Sequence, residues 1–206
     1  METPTTIGQL LKKETMSATN STNQTVRFNI GDVSEQTLFE FMIYQIANIT
    51  GGEVLNKDKI SKVVSWLKNG KKESLMIIGG TGTGKTTLAV ALAQAIGKRN
   101  YYPKFISMPK FERMCAEDNT WLDEVADWKY LLLDDVGTES REIKIYGNSR
   151  MLFNELIFQR YDRKLPMIIT TNLSLAAFEQ RYGEKVASRV RELFDIMVMN
   201  GKDLRK

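Results

Sequence analysis

Gly79-Gly80-Thr81-Gly82-Thr83-Gly84-Lys85-Thr86 is the stretch that decides the fold. It fits G-x-x-x-x-G-K-[ST], the P-loop of nucleoside-triphosphate-binding proteins. The flanks supply the context that such a motif needs. Ser74-Leu75-Met76-Ile77-Ile78 is a short apolar run that reads as a buried strand, and the residues from Thr87 to Ile96 are mostly good helix formers. Glycines let the backbone curl so that successive N–H groups face phosphate oxygens, and the helix starting near Lys85 adds unpaired N–H groups and the positive end of its dipole. Gly79 through Thr87 are therefore the candidate phosphate contacts. Lys85 is placed to reach the β- and γ-phosphates of ATP, and the Thr86 hydroxyl to ligate Mg²⁺.

Working outward from the loop, apolar strands and helical stretches alternate to the end of the chain. Strands are expected at 103–108, 129–135, 166–172 and 194–199. Helices are expected at 109–116, 118–127, 150–162, 175–181 and 184–192, the last two broken at Gly183. This alternation predicts an α/β three-layer sandwich, a P-loop NTPase fold with a mostly parallel five-stranded sheet covered on both faces. Upstream, Ser34 can cap a helix from Glu35 to Ala47 with Phe39, Met42, Ile43 and Ile46 on one face. A second helix is expected from Lys57 to Lys68, ended by Asn69-Gly70. The expected organisation is a flexible arm over 1–33, a helical segment over 34–70 packing on the core, and an ATPase domain over 71–206. Within the arm, Thr6 to Lys13 could form a short amphipathic helix.

A second acidic signature follows the P-loop by about fifty residues. Leu131-Leu132-Leu133 runs into Asp134-Asp135. Acids at the carboxyl end of a buried parallel strand lie where such sheets bind ligands. Asp134 is the candidate Mg²⁺ residue, and Asp135 the candidate base that polarises water for attack on the γ-phosphate. Asn172 ends the next strand, where it can bond the attacking water or the γ-phosphate; a turn role is the alternative reading, and Thr171 is the adjacent candidate. Arg189 is the candidate arginine supplied to a neighbouring subunit, with Arg191 the runner-up and a glutamate-paired surface position the alternative.

In that order, the P-loop, the strand with Asp-Asp, Thr170-Thr171-Asn172 and Gly183-Glu184-Lys185-Val186-Ala187-Ser188-Arg189-Val190-Arg191-Glu192 resemble the DnaC-type helicase loaders and IstB-like transposition helpers of the AAA+ ATPases. The resemblance runs from about Leu67 to Arg205. It implies an ATP-dependent protein that assembles with copies of itself, binds single-stranded DNA, and delivers a ring-shaped replicative helicase; the helper reading substitutes duplex DNA and a transposase. It carries Lys85 and Thr86 over as phosphate and Mg²⁺ contacts, Asp134 as metal residue, Asp135 as catalytic acid, Asn172 as sensor and Arg189 as trans-acting finger. Two departures stand out. Asp135 occupies a position where most AAA+ enzymes have Glu, which implies slow hydrolysis, and the usual helical lid is expected to be missing. The excursion from Thr138 to Asn148 lies where related initiators insert a DNA-contacting helix, which makes Lys144 and Tyr146 candidate contacts, with an ordinary exposed loop as the alternative. Lys104, Lys110 and Arg113 are further basic candidates.

Composition narrows the chemistry. The chain has 206 residues, 42% of them hydrophobic, enough for a sizeable core. It has no histidine, which excludes a His-based triad and a His-ligated metal; the single cysteine, Cys115, excludes an internal disulfide. The net charge of +4 is compatible with nucleic acid. Without a signal-like or long apolar run, the cytoplasm is the expected compartment and no membrane partner is expected. The sequence after the core shows no arginine-rich lid of a P-loop kinase, and no Asn-Lys-x-Asp motif of a GTPase follows the P-loop.

Overall fold

A computed structural model describes residues 32–52, 55–97, 102–145 and 147–201. Residues 1–31 of the expected arm, including its Thr6–Lys13 segment, with Tyr146 and the closing residues 202–206, lie outside the described residues. The first two elements are α1 (Glu35–Thr50) and α2 (Lys57–Asn69). The core then runs β1 (Ser74–Gly79), α3 (Lys85–Ile96), β2 (Lys104–Ser107), α4 (Met108–Glu117), α5 (Thr120–Asp127) and β3 (Leu131–Val136). It continues through β4 (Ile143–Ile145), β5 (Asn148–Arg150), α6 (Leu152–Asp162), β6 (Met167–Thr171), α7 (Leu175–Tyr182), α8 (Glu184–Leu193) and β7 (Phe194–Met199).

Five parallel strands form one sheet in the order β2-β3-β6-β1-β7. Side chains alternate across a strand, and here each face finds its own helical layer. Leu75, Ile77, Leu132, Ile168, Met197 and Met199 face α1, α2 and α3, whereas Met76, Ile78, Leu131, Leu133, Met167 and Ile169 face α4 through α8. The result is the expected α/β three-layer sandwich. Both faces are covered, so the central strands carry near-continuous apolar runs, as a parallel sheet requires, with the polar residues of β3 and β6 gathered at their carboxyl ends.

Local signals set the helix ends. The Ser34 hydroxyl accepts from the Thr37 N–H at 3.1 Å, and Gly51 closes α1 at φ 74°. The buried row of α1 is Leu38, Met42 and Ile46, shifted from the expected stripe; Phe39 and Ile43 pack at its margin. Asn56 caps α2 through the Asp58 N–H at 2.8 Å. Cys115 is fully buried, and burial pushes its thiol up to about 12, consistent with a small core side chain rather than a nucleophile.

The excursion between Thr138 and Asn148, read as a DNA-contacting insertion or an ordinary exposed loop, shows no helix among its described residues. It carries an antiparallel hairpin, β4–β5, with Ile143 opposite Arg150 and Lys144 opposite Ser149. Ile143-Lys144-Ile145 alternates apolar and charged, the period of a strand, and Gly147 at φ 82° lies in the turn.

Candidate active site

The P-loop joins the carboxyl end of β1 to the amino end of α3, and its conformation follows from its glycines. Gly82 and Gly84 hold φ of 72° and 86°, and a Cβ on Gly79 would come within 2.6 Å of the Met199 carbonyl oxygen on β7. The Thr83 hydroxyl donates to the Gly80 carbonyl at 2.9 Å and closes the loop on itself. Lys85 is only 5% exposed, so its ammonium is held by partners rather than by water. It donates to the Gly80 carbonyl at 2.9 Å and to Asn172 Oδ1 at 2.6 Å. The P-loop lysine and the polar residue ending β6, 87 positions apart, are thus brought together. Thr81 is exposed at the loop's tip and Thr87 is half-buried in the first turn of α3.

The twin aspartates end β3, beside β6, and take different environments. Asp134 is buried; its Oδ1 accepts from the Thr86 hydroxyl at 2.9 Å and from the Thr170 hydroxyl at 2.5 Å. Burial raises its carboxyl above the usual range, and the hydrogen bonds from Thr170 and Thr86 oppose that shift. Asp135 is half-buried and sits where the β3–β6 register shifts. Its φ is 57°, left-handed backbone that Asp tolerates better than most side chains. Its N–H donates to Thr170 Oγ1 at 2.9 Å, and its carbonyl accepts from the Thr138 hydroxyl at 2.7 Å. The bulge turns the second acid away from the strand's alternation.

Thr170 is the residue that sequence reasoning passed over. It is fully buried and touches both acids, donating to the side chain of one and accepting from the backbone of the other. A polar side chain inside an apolar strand, two residues before Asn172, was the available signal. Thr171, the alternative to Asn172, faces elsewhere: its hydroxyl donates to the Val136 carbonyl at 2.6 Å.

Arg189 stands apart from this cluster. Its guanidinium lies 4.1 Å from the ring centroid of Tyr161, donates to the Tyr161 hydroxyl at 3.0 Å, and reaches Glu192 at 3.3 Å. These partners belong to α6 and α8, not to the P-loop or the twin aspartates. Arg191 pairs with Glu179 of α7 at 2.8 Å, with both side chains about half exposed. Lys104, Lys110, Arg113 and Lys144 are all exposed.

The donor set suits a triphosphate with Mg²⁺. Thr86 and Asp134 put two hard oxygen ligands side by side next to a loop of inward-curled backbone. No group of three or more His, Cys, Asp or Glu side chains fit to hold a metal occurs among the described residues. A magnesium ion here would take its remaining ligands from phosphate and water, the usual way that this ion is held.

Comparison with known proteins bears on the family. A crystal structure of the DnaC helicase loader superposes with a TM-score of 0.57 at 28% identity, covering 69% of this chain and 89% of that one. The ATP-binding protein of insertion sequence IS232 from Bacillus thuringiensis subsp. berliner is 25% identical over 176 residues, 77% of this chain and 68% of its own length. The replicative helicase loader DnaI of Bacillus subtilis (strain 168) is 27% identical over 116 residues, 53% of this chain and 36% of its own length. The chain therefore spans only part of the curated relatives it matches. No helix among the described residues is long and apolar enough to cross a membrane. With the sequence profile of the IstB-like ATP binding proteins matching residues 4–200, the fold and the phosphate cradle lead to one conclusion: the chain belongs to the IstB-like ATP-binding family of AAA+ P-loop proteins.

Proposed function

We propose that this chain is a cytoplasmic ATPase of the helicase-loader kind, which hydrolyses ATP when assembled with copies of itself, binds single-stranded DNA and engages a ring-shaped replicative helicase. The observation that carries the reading is the contact set Lys85–Asn172, Thr86–Asp134 and Thr170–Asp134 at the carboxyl ends of β1, β3 and β6.

In this reading the P-loop amides and Lys85 bind the phosphates, and Lys85 neutralises charge on the β- and γ-phosphoryl groups. Thr86 and Asp134 hold Mg²⁺, which when bound offsets the charge of the phosphate oxygens. Asp135 accepts the proton of the attacking water, while Asn172 orients that water and reads the γ-phosphate. Lys85 and Asn172 already touch, so occupancy of the γ-position is felt by both at once. Arg189, whose partners among the described residues are Tyr161 and Glu192, serves the site of the adjacent subunit.

For DNA, the supporting feature is the sheet edge at β2. Tyr102 and Phe105 are 56% and 51% exposed on either side of Lys104, and Lys110 and Arg113 follow on α4. Exposed rings interleaved with cations suit stacked bases and phosphates. Lys144 on β4 is a further phosphate candidate.

The IS232 relative favours a second reading, an ATP-dependent helper of a transposase acting on duplex DNA. A pull-down from the native source with ATP present separates the two. Recovery of a replicative helicase supports the loader, recovery of a transposase supports the helper, and recovery of neither overturns both. Turnover by the purified chain, with and without single-stranded DNA, checks hydrolysis itself; a rate indistinguishable from buffer would leave a nucleotide-gated adaptor.

A further inference from the structure

Beyond Asp135 the chain makes a tight loop, and one buried carboxylate holds it. Glu139 is 8% exposed. Its Oε2 accepts from the Gly137 N–H at 2.8 Å, two residues past Asp135, and its Oε1 accepts from the Tyr182 hydroxyl. Arg181 donates to the Glu139 carbonyl and lies 3.6 Å from its carboxylate. Burial and the nearby Glu139 charge raise the Tyr182 hydroxyl well above the usual tyrosine range, so it stays a donor.

Both ends of this contact are fixed. Tyr182 packs at a tilt against Phe153 and Phe178, at centroid distances of 4.6 Å, and its carbonyl accepts from Asn154 at 3.1 Å. On the loop side, Val136 is held by Thr171, and Thr138 donates through both its N–H and its hydroxyl to the Asp135 carbonyl. The left-handed backbone at Asp135 is therefore bounded by Thr170 before it and by Glu139 after it. A strained conformation persists where its surroundings over-determine it, and Glu139 is the group that ties this loop to the rigid end of α7.

We propose that Glu139 is a positioning residue for the hydrolytic reaction: it aims the Asp135 carboxylate within its own subunit by clamping the Val136–Ser140 loop to Arg181 and Tyr182. This rests on the reading of Asp135 as base and Arg189 as a finger given to the neighbour. A carboxylate suits the task because both of its oxygens face donors. Alanine removes both acceptors, leaving the Gly137 N–H and the Tyr182 hydroxyl without this partner; it releases the loop from the end of α7, while Thr171 at the Val136 carbonyl and Glu112 at the Ser140 N–H still hold its two ends. Glutamine keeps one acceptor for Gly137 and can offer its amide to a rotated Tyr182 hydroxyl, so it should preserve most of the clamp while losing the charge facing Arg181.

The test uses the full chain and its ATP turnover in the presence of single-stranded DNA. Glu139→Ala should lower kcat about ten- to a hundredfold, the scale of a misplaced catalytic group, with ATP affinity and assembly unchanged; Glu139→Gln should recover most of that loss. Mixing then separates aiming from folding. Glu139→Ala subunits retain Arg189, so mixing them with Arg189→Ala subunits, whose own Asp135 and Glu139 are intact, should restore turnover. Mixing them with Asp135→Asn subunits should not, because neither partner then has a correctly aimed base. Wild-type kcat in Glu139→Ala would overturn the proposal. So would failure of the Arg189→Ala mixture to recover, which would mean that Glu139 merely holds the fold. If a mixture of Asp135→Asn with Arg189→Ala subunits gains no turnover, catalysis across an interface itself is refuted, and the positioning role is then decided by the kcat values of Glu139→Ala and Glu139→Gln alone, wild-type kcat in the first overturning it.

Discussion

The phosphate cradle and the outer face of α8 carry the same kinds of side chain and use them in opposite ways. In the cradle, Lys85 is 5% exposed and bonded to Gly80 and Asn172, and Asp134 is bonded to Thr86 and Thr170. On α8, Arg189 and Arg191 leave 41% and 52% of their side chains exposed and pair with glutamates that are themselves exposed. The cradle's groups are set by contacts that reach across 36 to 87 positions of chain. The face is set by neighbours within α6, α7 and α8. A site complete in one chain is built from distant residues whose desolvation is offset by mutual bonding; a group intended for another molecule must stay near water and be held only loosely.

Breaking the cradle should have the largest effect. Lys85→Ala removes the buried ammonium and leaves Asn172 and the phosphates without their cation. Tight ATP binding should be lost in equilibrium titration, and turnover with it; affinity equal to wild type would remove Lys85 from the site. Breaking the face should cost less in binding and more in cooperation. Arg189→Ala should keep ATP affinity but lose about a thousandfold in assembled turnover, the low end of what a trans arginine supplies. The concentration dependence of kcat is the readout, since an unassembled subunit has no finger to lose. Within the cradle, Asp135→Asn should leave nucleotide binding intact and slow single-turnover hydrolysis about a hundredfold, as loss of a general base does. An unchanged rate would transfer that role away from the bulge.

The same contrast explains what was legible in the sequence. The layers and strands around the P-loop follow from short apolar runs and period-3.6 patterns, which are local. So do the motif residues, because a P-loop and an acid-ended strand impose their own spacing. What escaped is what depends on a partner distant in sequence. Thr170 looks like one more strand residue until β6 is laid beside β3. The left-handed turn at Asp135 comes from a register shift between two strands and has no signature in either. Arg160 is the sharpest case. The buried apolar stripe of α6 is Leu152, Phe153, Leu156 and Ile157, whereas Phe158 is 38% exposed. Arg160 lies four residues beyond Leu156, on the stripe itself, and is fully buried; it donates to the carbonyls of Ala126 and Trp128 at 3.1 and 2.7 Å and of Pro166 at 2.6 Å. Burial lowers its pKa to about 9. A guanidinium there gathers the carbonyls ending α5 and those preceding β6, a role that periodicity located but residue type concealed. The hairpin β4–β5 was missed for a simpler reason: its strands are three residues each, too short for alternation to stand out.

The smallest effect is the one that most sharpens the comparison between cradle and face. Arg191 follows Arg189 by two residues, so on a helix the two project in different directions. Arg191 is paired with Glu179 on the neighbouring helix in an exposed ion pair at 2.8 Å, whereas Arg189 is stacked on Tyr161. An exposed pair contributes about 0 to 1 kcal/mol and is screened by salt. Arg191→Ala should therefore shift the thermal midpoint only slightly, with the shift vanishing at high salt, and should leave assembled turnover at the wild-type level. If Arg191→Ala instead silences turnover while Arg189→Ala spares it, the outward face keeps its function but changes its finger. The Tyr161 stack would then be a surface contact, and the pairing with Glu179 the one that a neighbouring subunit must open.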